Sequence, residues 1–229
     1  MRIITFLLDT LFPPTCASCK KEGAFLCEDC VRAFKKRKIR PRPSFVRLPK
    51  EFAYMDGVIY ALDYAKNPGI QAAIQQFKYK FTRELAAYFA DLVSEKLGQL
   101  SMAKNGKIIL IPVPLHPKRL NYRGFNQAEV IGRAVGERMG DRVEIIPLLA
   151  RVRHTAQQAK LTKKERHANL ENAFILNKKC VHKFEPGKSI YFIVDDVCTT
   201  GATLENCAKV LKENGFKKVY GLVVARAFK

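Results

Sequence analysis

Tyr191-Phe-Ile-Val-Asp-Asp-Val-Cys-Thr-Thr-Gly-Ala-Thr203 joins an apolar strand to two carboxylates, a short hydroxyl-rich loop and the start of a helix. The apolar residues predict a strand anchored in a core. Asp195 and Asp196 at its end can accept hydrogen bonds from vicinal hydroxyls of a ribose, or sit near a hard cation that prefers oxygen ligands. Thr199, Thr200 and Thr203 offer hydroxyl donors, and Gly201 lets the backbone turn tightly and approach an anion. The amides of such a loop form a concave nest, and the following helix aims its positive end at the same point. An ordinary strand–turn–helix connection with Asp as a cap is the plain alternative. Two Asp, Thr-Thr-Gly and a third Thr in one short loop argue against it.

Outward from this stretch, strands and helices alternate. Strands are expected at residues 57–62, 107–113, 142–147, 189–194 and 218–225, all apolar and β-branched. Helical spacing marks 70–77, 84–97, 127–139 and 203–214, the last ended by Gly215. Near-continuous apolar strands alternating with helices predict an α/β fold with a parallel sheet covered on both faces. Ligands of such sheets bind at the carboxyl ends of the strands.

The strand at 107–113 leads into Pro112-Val-Pro-Leu-His-Pro-Lys-Arg-Leu-Asn-Tyr-Arg-Gly-Phe-Asn-Gln127. Its prolines stiffen the exit and forbid continuation as a helix. His116, Lys118, Arg119 and Arg123 thereby arrive at a strand end as a basic loop, where a pyrophosphate would need positive charge. The plain alternative is a solvated basic loop. Residues 149–174, polar and rich in Arg, Lys and Gln, read either as a positive lid over the site or as an exposed helix and loop.

The amino-terminal part differs in composition. Ile4, Leu7, Leu8, Leu11 and Phe12 recur at helical spacing and predict a short amphipathic helix docked on the body, with membrane-surface contact as the weaker option. Asp9 and Pro13-Pro14 interrupt the run, so neither a signal peptide nor a membrane span is expected. Cys16-x₂-Cys19-x₇-Cys27-x₂-Cys30 supplies two hooks of two thiolates each, the donor set of a tetrahedral structural Zn²⁺ site. A [4Fe–4S] cluster and two disulfides are the chemical alternatives. Residues 31–50 hold nine Lys or Arg and no acidic residue, with Pro41, Pro43 and Pro49, and read as a basic linker. Lys35, Lys36, Arg37, Lys38, Arg40 and Arg42 are candidates for contact with DNA phosphates, and Phe34 and Phe45 for stacking on bases. A ribbon that only caps the main domain is the alternative. Residues 1–50 and 51–229 are thus expected as separate units.

The whole chain of 229 residues carries 41 Lys and Arg against 21 Asp and Glu, a net charge of +20, which favours an anionic partner. Apolar residues make up 48%, enough for a sizeable core. The odd total of seven Cys and their clustering fit a reducing cytoplasm better than a secreted disulfide framework. No Gly-x-x-x-x-Gly-Lys-Ser/Thr motif is present, which removes a Walker-type ATP site, and no Ser-His-Asp or paired-Glu arrangement suggests a hydrolase.

Residues 191–203 resemble the phosphoribosyl pyrophosphate motif of type I phosphoribosyltransferases. The resemblance implies that Asp195 and Asp196 hold the ribose hydroxyls, directly and through Mg²⁺-bound water. It also implies that Thr199, Thr200, Gly201, Ala202 and Thr203 cradle the 5-phosphate. With Leu-Leu-Asp-Thr-Leu-Phe-Pro-Pro-Thr-Cys16, Pro112-Val-Pro-Leu-His-Pro-Lys-Arg119, Arg123-Gly-Phe-Asn-Gln-Ala128, Arg151-x-Arg-x-Thr-x-Gln-Gln158 and Arg166-x-x-Asn169, the chain as a whole resembles the ComF/ComFC competence family. That family has a phosphoribosyltransferase-like domain, here preceded by a small Cys₄ zinc ribbon. The resemblance implies a cytoplasmic protein of natural transformation, peripheral to the DNA-uptake machinery at the inner membrane. Its expected ligands are single-stranded DNA and phosphoribosyl pyrophosphate or a related nucleotide, with structural Zn²⁺ and Mg²⁺. An active phosphoribosyltransferase acting on a base or amine is the alternative function.

Overall fold

Five parallel strands form the central sheet in the order β1-β7-β6-β2-β3 in the computed structural model, which describes residues 13–36, 52–80, 82–99, 107–153, 172–181 and 189–227. The elements are α1 (Glu28–Lys36), β1 (Gly57–Asp63), α2 (Pro68–Tyr79), α3 (Leu85–Gly98), β2 (Lys107–Pro112), α4 (Pro117–Arg123), α5 (Gln127–Met139), β3 (Val143–Ile145), β4 (Leu149–Arg151), β5 (Phe174–Leu176), α6 (Lys178–Val181), β6 (Ser189–Cys198), α7 (Ala202–Glu213) and β7 (Val219–Arg226). β4 and β5 pair antiparallel beside the main sheet. The candidate amino-terminal helix, Arg37, Lys38, Arg40, Arg42, Phe45 and most of the 149–174 segment lie outside the described residues. Among the described residues, no helix is long and apolar enough to cross a membrane.

The strand period of two divides the core. On β6, Phe192 and Val194 face one layer while Tyr191 and Ile193 face the other; on β2, Ile108 and Leu110 oppose Ile109 and Ile111 in the same way. The first layer packs against α2, α3 and α5 through Ile70, Phe77, Phe89 and Ile131. The second packs against α7 through Leu204, Cys207, Ala208 and Leu211. Burial on both faces is why the central strands are continuously apolar.

Two local expectations are revised. Residues 31–36 belong to α1 rather than to a linker. Glu28 and Asp29 in its first turn and Lys35 and Lys36 in its last complement the helix dipole, and Phe34 is buried. Residues 117–123 form a helix, not a loop: Pro117 sits at the first helical position, where its missing N–H costs nothing. His116 caps it by accepting the Lys118 backbone N–H at Nδ1 (3.3 Å), and Gly124 closes it with φ +68°.

The Cys-rich segment does not stand apart from the sheet domain. Cys16, Ala17, Leu26 and Phe34 share one apolar cluster with Ile70, Ala73, Ile74 and Phe77 of α2. At Gly69, in the first turn of α2, an added Cβ would lie 2.3 Å from Ser18 Oγ and 3.0 Å from the Phe34 ring. Only glycine permits that approach.

Candidate functional site

β6 and β2 are adjacent, and the chain leaves them toward opposite faces: β6 runs into α7 on one side, β2 into α5 on the other. Such a switch point opens a crevice at the strand ends. A cavity of about 430 Å³ lies there, lined by Lys78, Arg119, Arg123, Arg151, Asp195, Asp196 and the whole 197–203 loop, among others.

β6 continues through Cys198, further than its apolar run suggests, because β7 still pairs with it at Val197 and Cys198 after β2 has ended opposite Val194. Asp195 and Asp196 therefore sit on a rigid strand rather than in a loop. Asp196 is buried and its Oδ2 lies 2.9 Å from Nζ of Lys78, the penultimate residue of α2. Burial alone would draw the Lys78 ammonium's pKa down, but Asp196 and Asp195 reverse this and hold it above its ordinary value. Asp195 behaves oppositely. Desolvation first, and the neighbouring Asp196 second, push its carboxyl well above the usual carboxylate range. One of its oxygens accepts the Asp196 backbone N–H at 2.9 Å. Two adjacent carboxylates thus coexist at the strand end because Lys78 neutralises one and burial favours the proton on the other.

The loop after β6 turns tightly into α7. Gly201 takes φ +79° as the N-cap of α7, and an added Cβ would meet the Phe52 ring at 2.2 Å. Phe52 is held there by a strap. Glu205, buried in the first turn of α7, accepts the backbone N–H groups of Ala53 (2.6 Å), Tyr54 (2.9 Å) and Met55 (3.2 Å). Thr200 Oγ1 accepts the Ala202 N–H at 3.4 Å, leaving the loop curled around the helix amino terminus.

Opposite the loop stand three arginines. Arg123 donates to Gln127 Oε1 (3.0 Å), and its guanidinium lies 5.3 Å from the Tyr79 ring centroid. Arg119 is one turn before it on α4. Arg151, at the end of β4, is buried, and its guanidinium lies over Phe174. Desolvation, then the nearby Arg119 charge, lower its pKa to about 10, so it remains a cation at neutral pH. His116 and Lys118 do not line the cavity: one caps α4 and the other points to solvent.

A second cluster lies at the far end of α2. The thiol sulfurs of Cys16, Cys19, Cys27 and Cys30 all lie within 4.8 Å of one another, with Cys19 and Cys27 3.6 Å apart. Four sulfurs about 2.3 Å from one ion stand about 3.8 Å from each other, so the spacing fits a single tetrahedral Zn²⁺. It is too long for a disulfide and too tight to enclose a four-iron cube. Lys20, at φ +67°, closes the first hook, and the Cys27 N–H donates to Cys16 Sγ at 3.4 Å, as ligand-orienting amides do around structural zinc. Desolvation pushes the Cys30 thiol up to about 12, so its ionisation calls for a nearby cation.

The chain is 30% identical, over 93% of its length and 85% of the other's, to Competence protein F of Haemophilus influenzae. The chain belongs to the ComF/ComFC family. It also matches Competence protein ComFC of Streptococcus pneumoniae at 26% over 87% of each chain. DNA utilization protein YhgH of Salmonella typhimurium is 32% identical, over 65% of this chain and 63% of that protein. No family model matches the chain.

The geometry brings together the Asp pair, the Thr199–Thr203 loop, Arg119 and Arg123 in this ComF/ComFC chain, and separates them from Lys35 and Lys36, of which Lys35 pairs with Glu95 at 3.3 Å. Sequence reasoning missed Lys78, the cavity-lining role of Arg151, Tyr79 and the Glu205 strap. Lys78 ends an amphipathic helix, where a basic residue reads as a dipole complement. Glu205 reads as an ordinary first-turn acid; its partners lie about 150 residues away.

Proposed function

We propose that this protein serves natural transformation in the cytoplasm, binding single-stranded DNA and, in the switch-point cavity, phosphoribosyl pyrophosphate or a related nucleotide. The observation that carries the ligand is the cavity itself: a carboxylate pair beside a Thr-rich helix amino terminus, faced by Arg119, Arg123 and Arg151. In this reading Asp195 and Asp196 accept the ribose hydroxyls, and the amides and hydroxyls of residues 199–203 hold the 5-phosphate. The arginines take the pyrophosphate, with Mg²⁺ arriving on the phosphates. The names of the relatives, two competence proteins and a DNA utilization protein, support the DNA role, as does the charge of +20. Zn²⁺ in the four-Cys site would lock the knuckle against α2, a structural role with no open coordination position.

Calorimetric titration with phosphoribosyl pyrophosphate and anisotropy with labelled single-stranded DNA test the two ligands. Binding of both, with the nucleotide signal lost on Asp195→Asn plus Asp196→Asn, is the expected result; absence of both overturns the proposal. Pyrophosphate release with a candidate base, abolished by the same double substitution, would establish the transferase reading instead.

A further inference from the structure

α4 buries none of its seven residues. A helix this short gains little from its own hydrogen bonds, yet it is held firmly. His116 caps it, Gly124 closes it, and Arg83 donates to the Gly124 carbonyl at 3.0 Å while its guanidinium lies over the buried Phe125 ring. Its residues fall in two rows set by the i, i+4 spacing. Arg119 and Arg123 face the cavity. Lys118 and Tyr122 form the neighbouring row, which faces outward, and Tyr122 is 71% exposed. Next to α4, the Tyr79 ring is 45% exposed under Arg123, and Lys80, which follows it in the chain, is exposed. Two of the segments that line the cavity, residues 64–83 and 107–128, contain no Asp or Glu, and the two lining acids, Asp195 and Asp196, come from the β6 end.

We infer that single-stranded nucleic acid crosses the cavity mouth on α4, with a base stacked on Tyr122 and backbone phosphates on Lys118 and Lys80. This rests on the DNA role proposed above and moves its site from the basic 35–42 stretch to the rim of the ligand cavity. Exposed rings among cations, without intervening acids, match the two needs of an unpaired strand: stacking surface and phosphate neutralisation. Other occupants lack the complementary charge. Residues 154–171 of the chain itself hold four Lys or Arg and two Glu, and a second copy would bring another +20. The row spacing on α4 also sets a strand on Lys118 and Tyr122 next to a ligand on Arg119 and Arg123, so the two ligands meet on one short helix.

The test is anisotropy of a fluorescein-labelled thymidine oligonucleotide, about 15 nucleotides long, with the full-length zinc-loaded chain. Tyr122→Ala is expected to weaken binding by about 5- to 100-fold. Lys118→Ala is expected to reduce the salt slope by about 0.7. Both variants should keep wild-type affinity for phosphoribosyl pyrophosphate, since neither residue lines the cavity. If the wild type binds the oligonucleotide and these variants bind equally well, while Lys35→Glu plus Lys36→Glu does not, the inference falls and the DNA role stands. If the wild type does not bind at all, both fall. If Tyr122→Ala instead turns a dimer into a monomer and leaves oligonucleotide binding intact, the face is a self-interface and the inference is wrong.

Discussion

Replacing Lys78 with Met removes the only cation bonded to Asp196 among the described residues while keeping the volume of the stem. The gross attraction at 2.9 Å is about 6 kcal/mol at an effective dielectric of about 20. Desolvation offsets part of this, and removing one partner of a buried pair costs about 3–5 kcal/mol in practice. The Lys78 side chain is 21% exposed and that of Asp196 6%, which puts the expected loss at the lower end, about 3 kcal/mol. For a chain of this size that lowers Tm by about 6–12 °C. The loss also depends on pH. Without the ammonium, the Asp195–Asp196 pair can relieve its repulsion only by taking up a proton, so the penalty is largest near pH 8 and shrinks toward pH 5. Thermal unfolding of wild type, Lys78→Met, Asp196→Asn and the double variant at both pH values closes a thermodynamic cycle. The double variant should recover much of the single-variant loss. A loss of less than about 1 kcal/mol, or one equal at the two pH values, would refute the view that Lys78 is what lets the two carboxylates coexist.

Asp195→Asn should raise Tm near pH 8 but hardly at pH 4: a carboxyl whose folded pKa is raised costs stability as pH climbs through the window between its unfolded and folded values. Equal gains at both pH values in thermal unfolding would contradict this. Gly201→Ala combines a left-handed backbone with a collision against Phe52, and should weaken phosphoribosyl pyrophosphate binding by at least about tenfold in calorimetry, with a stability loss of about 1–2 kcal/mol; wild-type affinity would exclude the loop as the anion cradle. Metal analysis of the purified chain should find one zinc per chain, and Cys19→Ser should lower both zinc content and Tm, the latter by about 5 °C or more, because the knuckle shares its apolar cluster with α2. An unchanged Tm would mean that the cluster carries no structural load.

Sequence alone determined the alternation of strands and helices, and with it the parallel α/β class. Residues 57–62, 107–113 and 189–194 are apolar on both faces, a pattern that only a doubly covered strand needs. It also offered the four thiols and the Asp195–Thr203 stretch as candidates, because metal hooks and hydroxyl-rich loops are local: their donors lie a few residues apart on one turn of backbone. The helix at 117–123 is not legible in the same way, because a proline reads as a barrier to helix, although at the first helical position Pro117 is a good start.

Tertiary structure decided what stands opposite those local motifs. Strand order placed β6 beside β2, and that adjacency brought Arg119 and Arg123 across from the Asp pair. The packing of α2 set Lys78 on Asp196, two residues 118 positions apart. Glu205 reached back to residues 53–55 to fix Phe52 over Gly201. The division is physical: backbone geometry and hydrogen-bonding chemistry act over a few residues and leave a readable spacing. The neutralisation of a buried charge, by contrast, depends on distance in space, and only folding sets that.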